Sequence, residues 1–169
     1  GEAFDKVAKL LGLGYPGGGV IDRLAKEGNP DKIAFTRPYL NKSDFDFSFS
    51  GIKTAVSHYV ARHQSDYKTR LSDIAAGFQA AVVDVLAYKL INAALKKECE
   101  HIAVVGGVAA NSGLRHKVRC DAEARGLKVH IPSVKLCGDN AAMIAAAGYH
   151  YLKAGINAKL TDDVFSRAK

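Results

Sequence analysis

A chain of 169 residues, 48% hydrophobic and 24% charged, suits one globular domain or one lobe of a larger enzyme and can bury a core. Four prolines and no low-complexity run exclude a long disordered tail, and the longest uncharged stretches, 74–83 and 140–152, are too short and too rich in alanine and polar residues to cross a bilayer. A formal charge of +7 favours an anionic partner without identifying it.

Residues 2–13 place Phe4, Val7, Leu10 and Leu11 at helical spacing, with Glu2, Lys6 and Lys9 on the other face, and Gly12 and Gly14 stop the helix. This start lacks the basic-then-apolar layout of a secretory signal. Asp5 lies at the border of the apolar face, as a solvated acid or as a carboxylate turned into a cleft. Residues 15–19, YPGGG, read as a turn with bare backbone. A short helix over 20–26 follows, with Asp22 in its first turn, where the helix dipole alone accounts for an acid.

Residues 32–38 predict a strand ending at proline. Over 44–50, Phe45, Phe47 and Phe49 alternate with Asp46, Ser48 and Ser50, the pattern of a half-buried strand. A helix then starts at Ser50-Gly51 and carries Ile52, Ala55, Val56, Tyr59 and Val60; Lys53 is an anion contact or a surface lysine. From 71 to 95, Leu71, Ile74, Phe78, Val82, Val85 and Leu86 recur every three or four residues, predicting a central helix with one long core face.

The stretch that organises the chain is 101–115, HIAVVGGVAANSGLR. Ile102, Ala103, Val104 and Val105 form an uninterrupted apolar run, as expected of a strand covered on both sides by helices. Gly106-Gly107 then permits positive φ and close approach of a ligand, or simply a tight turn, and Asn111 or Ser112 caps a helix over 113–125. Neither GxGxxG nor GxxxxGK[ST] occurs. Residues 127–131 predict another strand. Asp139 is either the N-cap of a helix over 141–153, whose small residues suit close packing, or a carboxylate facing a metal.

Cys99, Cys120 and Cys137 form no CxxC pair and read as reduced thiols; the His116 and Cys120 pair at i and i+4 is too few ligands for a metal. Lys96, Lys97, Arg115, Lys117, Arg119, Arg125 and Lys128 form a solvated basic face or a nucleic-acid track.

Four stretches, GEAFDKVAKLLGLGYPGG (1–18), FDFSFSGIKTA (45–55), VVGGVAANSGLR (104–115) and CGDNAAMIA (137–145), resemble in the same order the carboxyl-terminal part of the tRNA N(6)-adenosine threonylcarbamoyltransferase family, bacterial type. That family was long labelled O-sialoglycoprotein endopeptidases. The resemblance implies an α/β fold, a ribonuclease-H-like lobe of the actin, Hsp70 and sugar-kinase (ASKHA) type, with a mixed sheet and flanking helices. Residues 1–169 would be the second lobe of two. It further implies transfer of threonylcarbamoyl from threonylcarbamoyl-AMP to the exocyclic amine of the adenosine 3′ of the anticodon, in tRNAs reading ANN codons.

By motif match, Asp5, Gly18, Asp22 and Asn111 fall at adenylate-binding positions, Gly106 and Gly107 line the adenosine edge, and Asp139 falls at a metal ligand. The resemblance implies one divalent metal ion, iron by preference with zinc or magnesium as alternatives, and ATP or threonylcarbamoyl-AMP as the bound nucleotide; no catalytic base is assigned. Implied partners are tRNA, a paralogous dimerisation protein and a small ATPase, in the cytoplasm and without a membrane. The family's HxxxH metal pair is missing, since His58 and His63 are five apart, so this chain alone is expected to bind the ion weakly and to lack transferase activity. The competing functions are the older metalloprotease label, for which HExxH is missing, and a non-catalytic nucleotide-binding assembly module that docks through its basic helix.

Overall fold

The structure, a computed structural model, describes residues 1–39 and 44–163. Its elements run α1 (Glu2–Leu10), α2 (Gly17–Glu27), α3 (Ser50–Arg62), α4 (Leu71–Lys96), β1 (His101–Ala103), α5 (Ser112–Glu123), β2 (Lys128–His130) and α6 (Ala141–Lys153). Short 3-10 turns lie at Tyr67–Arg70, Gly107–Ala110 and Val134–Leu136. The class is mixed α/β but mostly helical. Among the described residues the sheet is the parallel pair β1 and β2 alone, with His101 opposite Lys128 and Ala103 opposite His130, and not the mixed sheet expected. Parallel neighbours need a crossover, which α5 provides.

Helix α4 is the axis. Its amino-terminal half puts Ile74, Phe78 and Val82 against α1, α2 and α3, with the Phe4 and Phe78 rings edge to face at 5.2 Å. Its carboxyl-terminal half puts Val83, Ala87 and Ile91 against Ile102 of β1 and Leu114 and Val118 of α5. Instead of one core face, α4 buries consecutive residues from Ile74 to Gln79, because neighbours approach from several sides. By length and composition, residues 67–96 are apolar enough to cross a membrane, but 72% of the apolar window is buried within the chain, as in a core helix.

Five local expectations are corrected. Residues 32–38 form no strand, although Ile33 and Phe35 are buried and Ala34 is exposed. The extended segment lies across α4 at Gly77, where an added Cβ would stand 1.9 Å from the Ile33 carbonyl oxygen. Its alternation is satisfied by a helix surface, without a ladder partner. Residues 44–50 also form no strand. The buried Lys89 Nζ donates to the Asp44 carbonyl (2.8 Å) and to its Oδ1 (3.1 Å), tying this segment to α4, and Phe47 is 49% exposed.

Helix α2 begins at Gly17, so the expected glycine turn is its first turn. The reason is tertiary: a Cβ on Gly17 would lie 2.5 Å from Ala8 Cβ and 2.7 Å from the Phe4 carbonyl oxygen, so only glycine lets α2 start against α1. Strand β1 is not covered on both faces, since Ile102 is buried while His101 and Ala103 are exposed. Finally, α6 has the expected bounds but is exposed throughout, with no buried residue, and its N-cap is Asn140, not Asp139: Met143 N–H donates to Asn140 Oδ1 at 2.9 Å.

One ionic tie holds the α2 exit to α4. Asn29 N–H donates to Asp73 Oδ1 (2.8 Å) and Lys32 Nζ lies 3.3 Å from Oδ2. The backbone amide first, and then the lysine, hold the Asp73 carboxyl below the ordinary carboxylate range.

Candidate functional site

The two core clusters meet at Leu86 and Val108, which pack against both. A cleft of about 130 Å³ opens at this seam, lined by Asp5 of α1, Gly18 and Asp22 of α2, and Gly107, Val108 and Asn111 of the turn that follows β1. Residues more than a hundred positions apart in sequence, Asp5 and Asn111, therefore share one small concavity. A larger apolar groove of about 410 Å³ adjoins it, with Val108 as a common wall, and is lined by Phe45, Phe47, Leu86 and the β1 exit. The polar chemistry is in the smaller one.

Each polar side chain of the cleft is held by a bond within the protein. Gly17 N–H donates to Asp5 Oδ1 at 2.8 Å. Ser112 donates to Asp22 Oδ1 twice, through N–H (3.1 Å) and Oγ (2.8 Å), and Lys26 Nζ lies 3.6 Å from Asp22 Oδ2. Asp22 is thus in the middle of α2, not in its first turn, and serves the N-terminus of a different helix. Asn111 is the N-cap of α5: Leu114 N–H donates to its Oδ1 (2.9 Å), while its Nδ2 donates to Oε1 of Gln79 on α4 (2.7 Å). One carboxylate oxygen of Asp5 and one of Asp22 are thereby committed to the fold, which fixes how each acid stands at the cleft.

Gly106 has φ +85°, the conformation that favours glycine, and starts the turn, whereas Gly107 is the member of the pair that lines the cleft. Asp139 is exposed and is not among the cleft-lining residues. Among the described residues, no group of three or more His, Cys, Asp or Glu side chains is assembled to hold a metal. His116 and Cys120 are a local pair, with Sγ 3.8 and 3.9 Å from the two ring nitrogens. Lys53 lines a separate surface depression with Glu2 and Lys6.

Three contributors escaped the sequence reading. Gln79 was signalled as the one polar side chain in the apolar stretch 74–83. Ser112 was noted only as a possible cap of its own helix. Arg115 was counted with the basic face, but it turns inward: Nε donates to Ala109 O (2.6 Å), and Nη2 to Pro132 O (2.6 Å) and Cys137 Sγ (3.1 Å). It links the glycine turn to the segment that precedes Asp139. Lys117 is likewise engaged, with Asp121.

The fold and site define a small α/β unit whose glycine turn and two acids line a cleft. The family model described as tRNA N6-adenosine threonylcarbamoyltransferase matches residues 1–146, and the chain belongs to that family. Curated relatives under the same name include one from Desulforapulum autotrophicum, 50% identical over 169 residues (100% of this chain, 51% of the relative). Another, from Syntrophotalea carbinolica, is 53% identical over 161 residues (95% and 47%), and one from Geobacter sulfurreducens is 54% identical over 155 residues (92% and 46%). The chain spans about half the length of the curated relatives it matches.

Proposed function

We propose that this chain is the nucleotide-binding second lobe of a two-lobe, ASKHA-type enzyme that transfers threonylcarbamoyl from threonylcarbamoyl-AMP to N(6) of the adenosine 3′ of the anticodon. The observation that carries this reading is the convergence of Asp5, Gly18, Asp22, Gly107 and Asn111 on one cleft in a chain of this family. At about 130 Å³ the cleft is well below the roughly 300–1,000 Å³ of a complete small-molecule site, which is the size expected of half a site that a second lobe closes. The uncovered apolar residues of α6, including Ile144 and Leu152, fit the same division, being the face on which the other half of such a protein rests.

In the reaction, the exocyclic amine of adenosine attacks the carbamoyl carbon of the mixed anhydride, the bond to the phosphate oxygen breaks, and AMP leaves as the nitrogen loses a proton. An aromatic amine is a weak nucleophile, so holding the two reactants in line contributes more than a strong base would. Asp5 and Asp22 accept hydrogen bonds from ribose or threonyl hydroxyls, Asn111 donates one, and Gly18 and Gly107 let the ligand reach the backbone. A metal next to the anhydride would polarise its carbonyl. The described residues do not bring together the three or four ligands an ion needs. In this reading, by the family resemblance, Asp139 would be one ligand of a site completed by histidines of the other lobe. The activity belongs to the two-lobe protein in the cytoplasm, with tRNA, a paralogous dimerisation protein and a small ATPase as partners, and not to residues 1–169 alone.

In the full-length protein, Asn111→Ala and Asp139→Ala should each lower the threonylcarbamoyladenosine content of tRNA roughly tenfold or more, the weight of one charged or oriented hydrogen bond, while capture of the dimerisation partner is unchanged. Retained modification in both variants removes these residues from the reaction. Loss of partner capture instead favours an assembly module.

A further inference from the structure

The amide of Asn111 is held at two points, and the second is a residue that the nucleotide reading does not use. Oδ1 is fixed by Leu114 N–H, the ordinary bond of an N-cap, and Nδ2 is fixed by Gln79 Oε1 at 2.7 Å. Both side chains are buried, with Asn111 7% and Gln79 8% exposed. Gln79 projects from the core helix α4 at a point where every neighbour from Ile74 to Val83 other than itself is apolar or glycine. A buried amide there is costly unless it is bonded, and its bond goes to Asn111. Gly113, the next-but-one residue after Asn111, makes room for it: a Cβ on Gly113 would lie 2.9 Å from Gln79 Nε2.

We infer that Gln79 is a positioning residue that locks the carboxamide of Asn111 with its nitrogen, and not its oxygen, available to the cleft. The oxygen is turned to the helix cap, where it accepts from Leu114 N–H, and one Nδ2 hydrogen goes to Gln79, which leaves the second Nδ2 hydrogen as the donor Asn111 can offer. The cleft then has fixed polarity. Asp5 and Asp22 accept, and Asn111 donates. The matching ligand presents hydroxyl donors on one side and an acceptor, a ring nitrogen or an ether or hydroxyl oxygen, on the other, which a nucleoside does. This deepens the nucleotide reading of the cleft and rests on it.

The test uses the full-length two-lobe protein labelled with 15N and AMP as probe, comparing wild type with Gln79→Met, which keeps the volume but removes the acceptor, and Gln79→Glu, which restores an acceptor at the same atom. The expected result is that the Asn111 side-chain amide signals shift and lose exchange protection in Gln79→Met, that AMP affinity falls about tenfold there, and that Gln79→Glu recovers it to within about threefold. A purely structural role predicts equal losses in both variants. Unchanged Asn111 side-chain signals in Gln79→Met, or unchanged AMP affinity, overturns the inference. If AMP moves no cleft signal even in wild type, the nucleotide reading fails separately, and the Asn111 side-chain protection alone decides what Gln79 does.

Discussion

Helices α4 and α6 are drawn from similar residues and meet opposite fates. Of the 26 residues of α4, 14 are buried, including Gln79 and Lys89, whereas α6 exposes Met143, Ile144, Tyr149, Tyr151 and Leu152 and buries none of its 13. Apolar composition states a requirement for cover, and only the neighbourhood meets it. For α4 the cover is α1, α2, α3, α5 and β1, all within this chain. For α6 no described residue supplies it, in a chain that spans about half the length of its relatives. The contrast separates the part of the molecule that covers its own apolar residues from the part that leaves them exposed.

The contrast breaks most visibly at Phe78. Phe78→Ala removes a fully buried ring that meets Phe4 and should cost about 3–5 kcal/mol, while Leu152→Ala on α6 should stay within about 0.5 kcal/mol, both read from urea unfolding midpoints of this chain. Equal costs would mean that α6 is covered in solution. Gly77→Ala comes next. Its added carbon meets the Ile33 carbonyl, a backbone atom that moves only with the whole 33–35 segment, so a loss of about 1–3 kcal/mol is expected where an alanine in a solvated helix would stabilise.

The smallest effect is electrostatic and sits at the exposed margin of α4. Because the folded Asp73 carboxyl titrates below its unfolded value of about 3.9, its contribution is present in full above that pH and fades as pH falls through the folded value. Asp73→Asn should therefore unfold slightly more easily than wild type at pH 7, by a margin that shrinks as the pH falls below about 3.9. A difference that grows toward acid would refute the tie to Asn29 and Lys32.

Helical spacing and cap residues were a dependable guide to helix bounds: α3, α4 and α6 begin and end within about a residue of what they imply. The pattern failed where period two was answered by something other than a strand. Residues 33–35 alternate as a strand does but lie on α4, and Phe45 and Phe47 border an apolar groove beside β1 without pairing to it. Neither outcome is visible in a local window. Of the site, Asp5, Gly18, Asp22, Gly107 and Asn111 were legible through family resemblance and do share a cleft, while Asp139 stands outside it. The supporting bonds from Gln79, Ser112 and Arg115 were not legible, because each joins segments far apart in the chain, and counting Arg115 with the surface cations made the basic face look larger than it is.

Asp22 has a double employment that affects how any experiment on this molecule is read. The same carboxylate that borders the cleft also caps α5 from another helix, through Ser112. Removing it strips a carboxylate from the cleft and unfastens the wall behind it in one stroke. A dead Asp22→Ala enzyme would be silent about which loss killed it; Ser112→Ala, which loosens the fastening and leaves the acid in place, is the companion that makes the result speak.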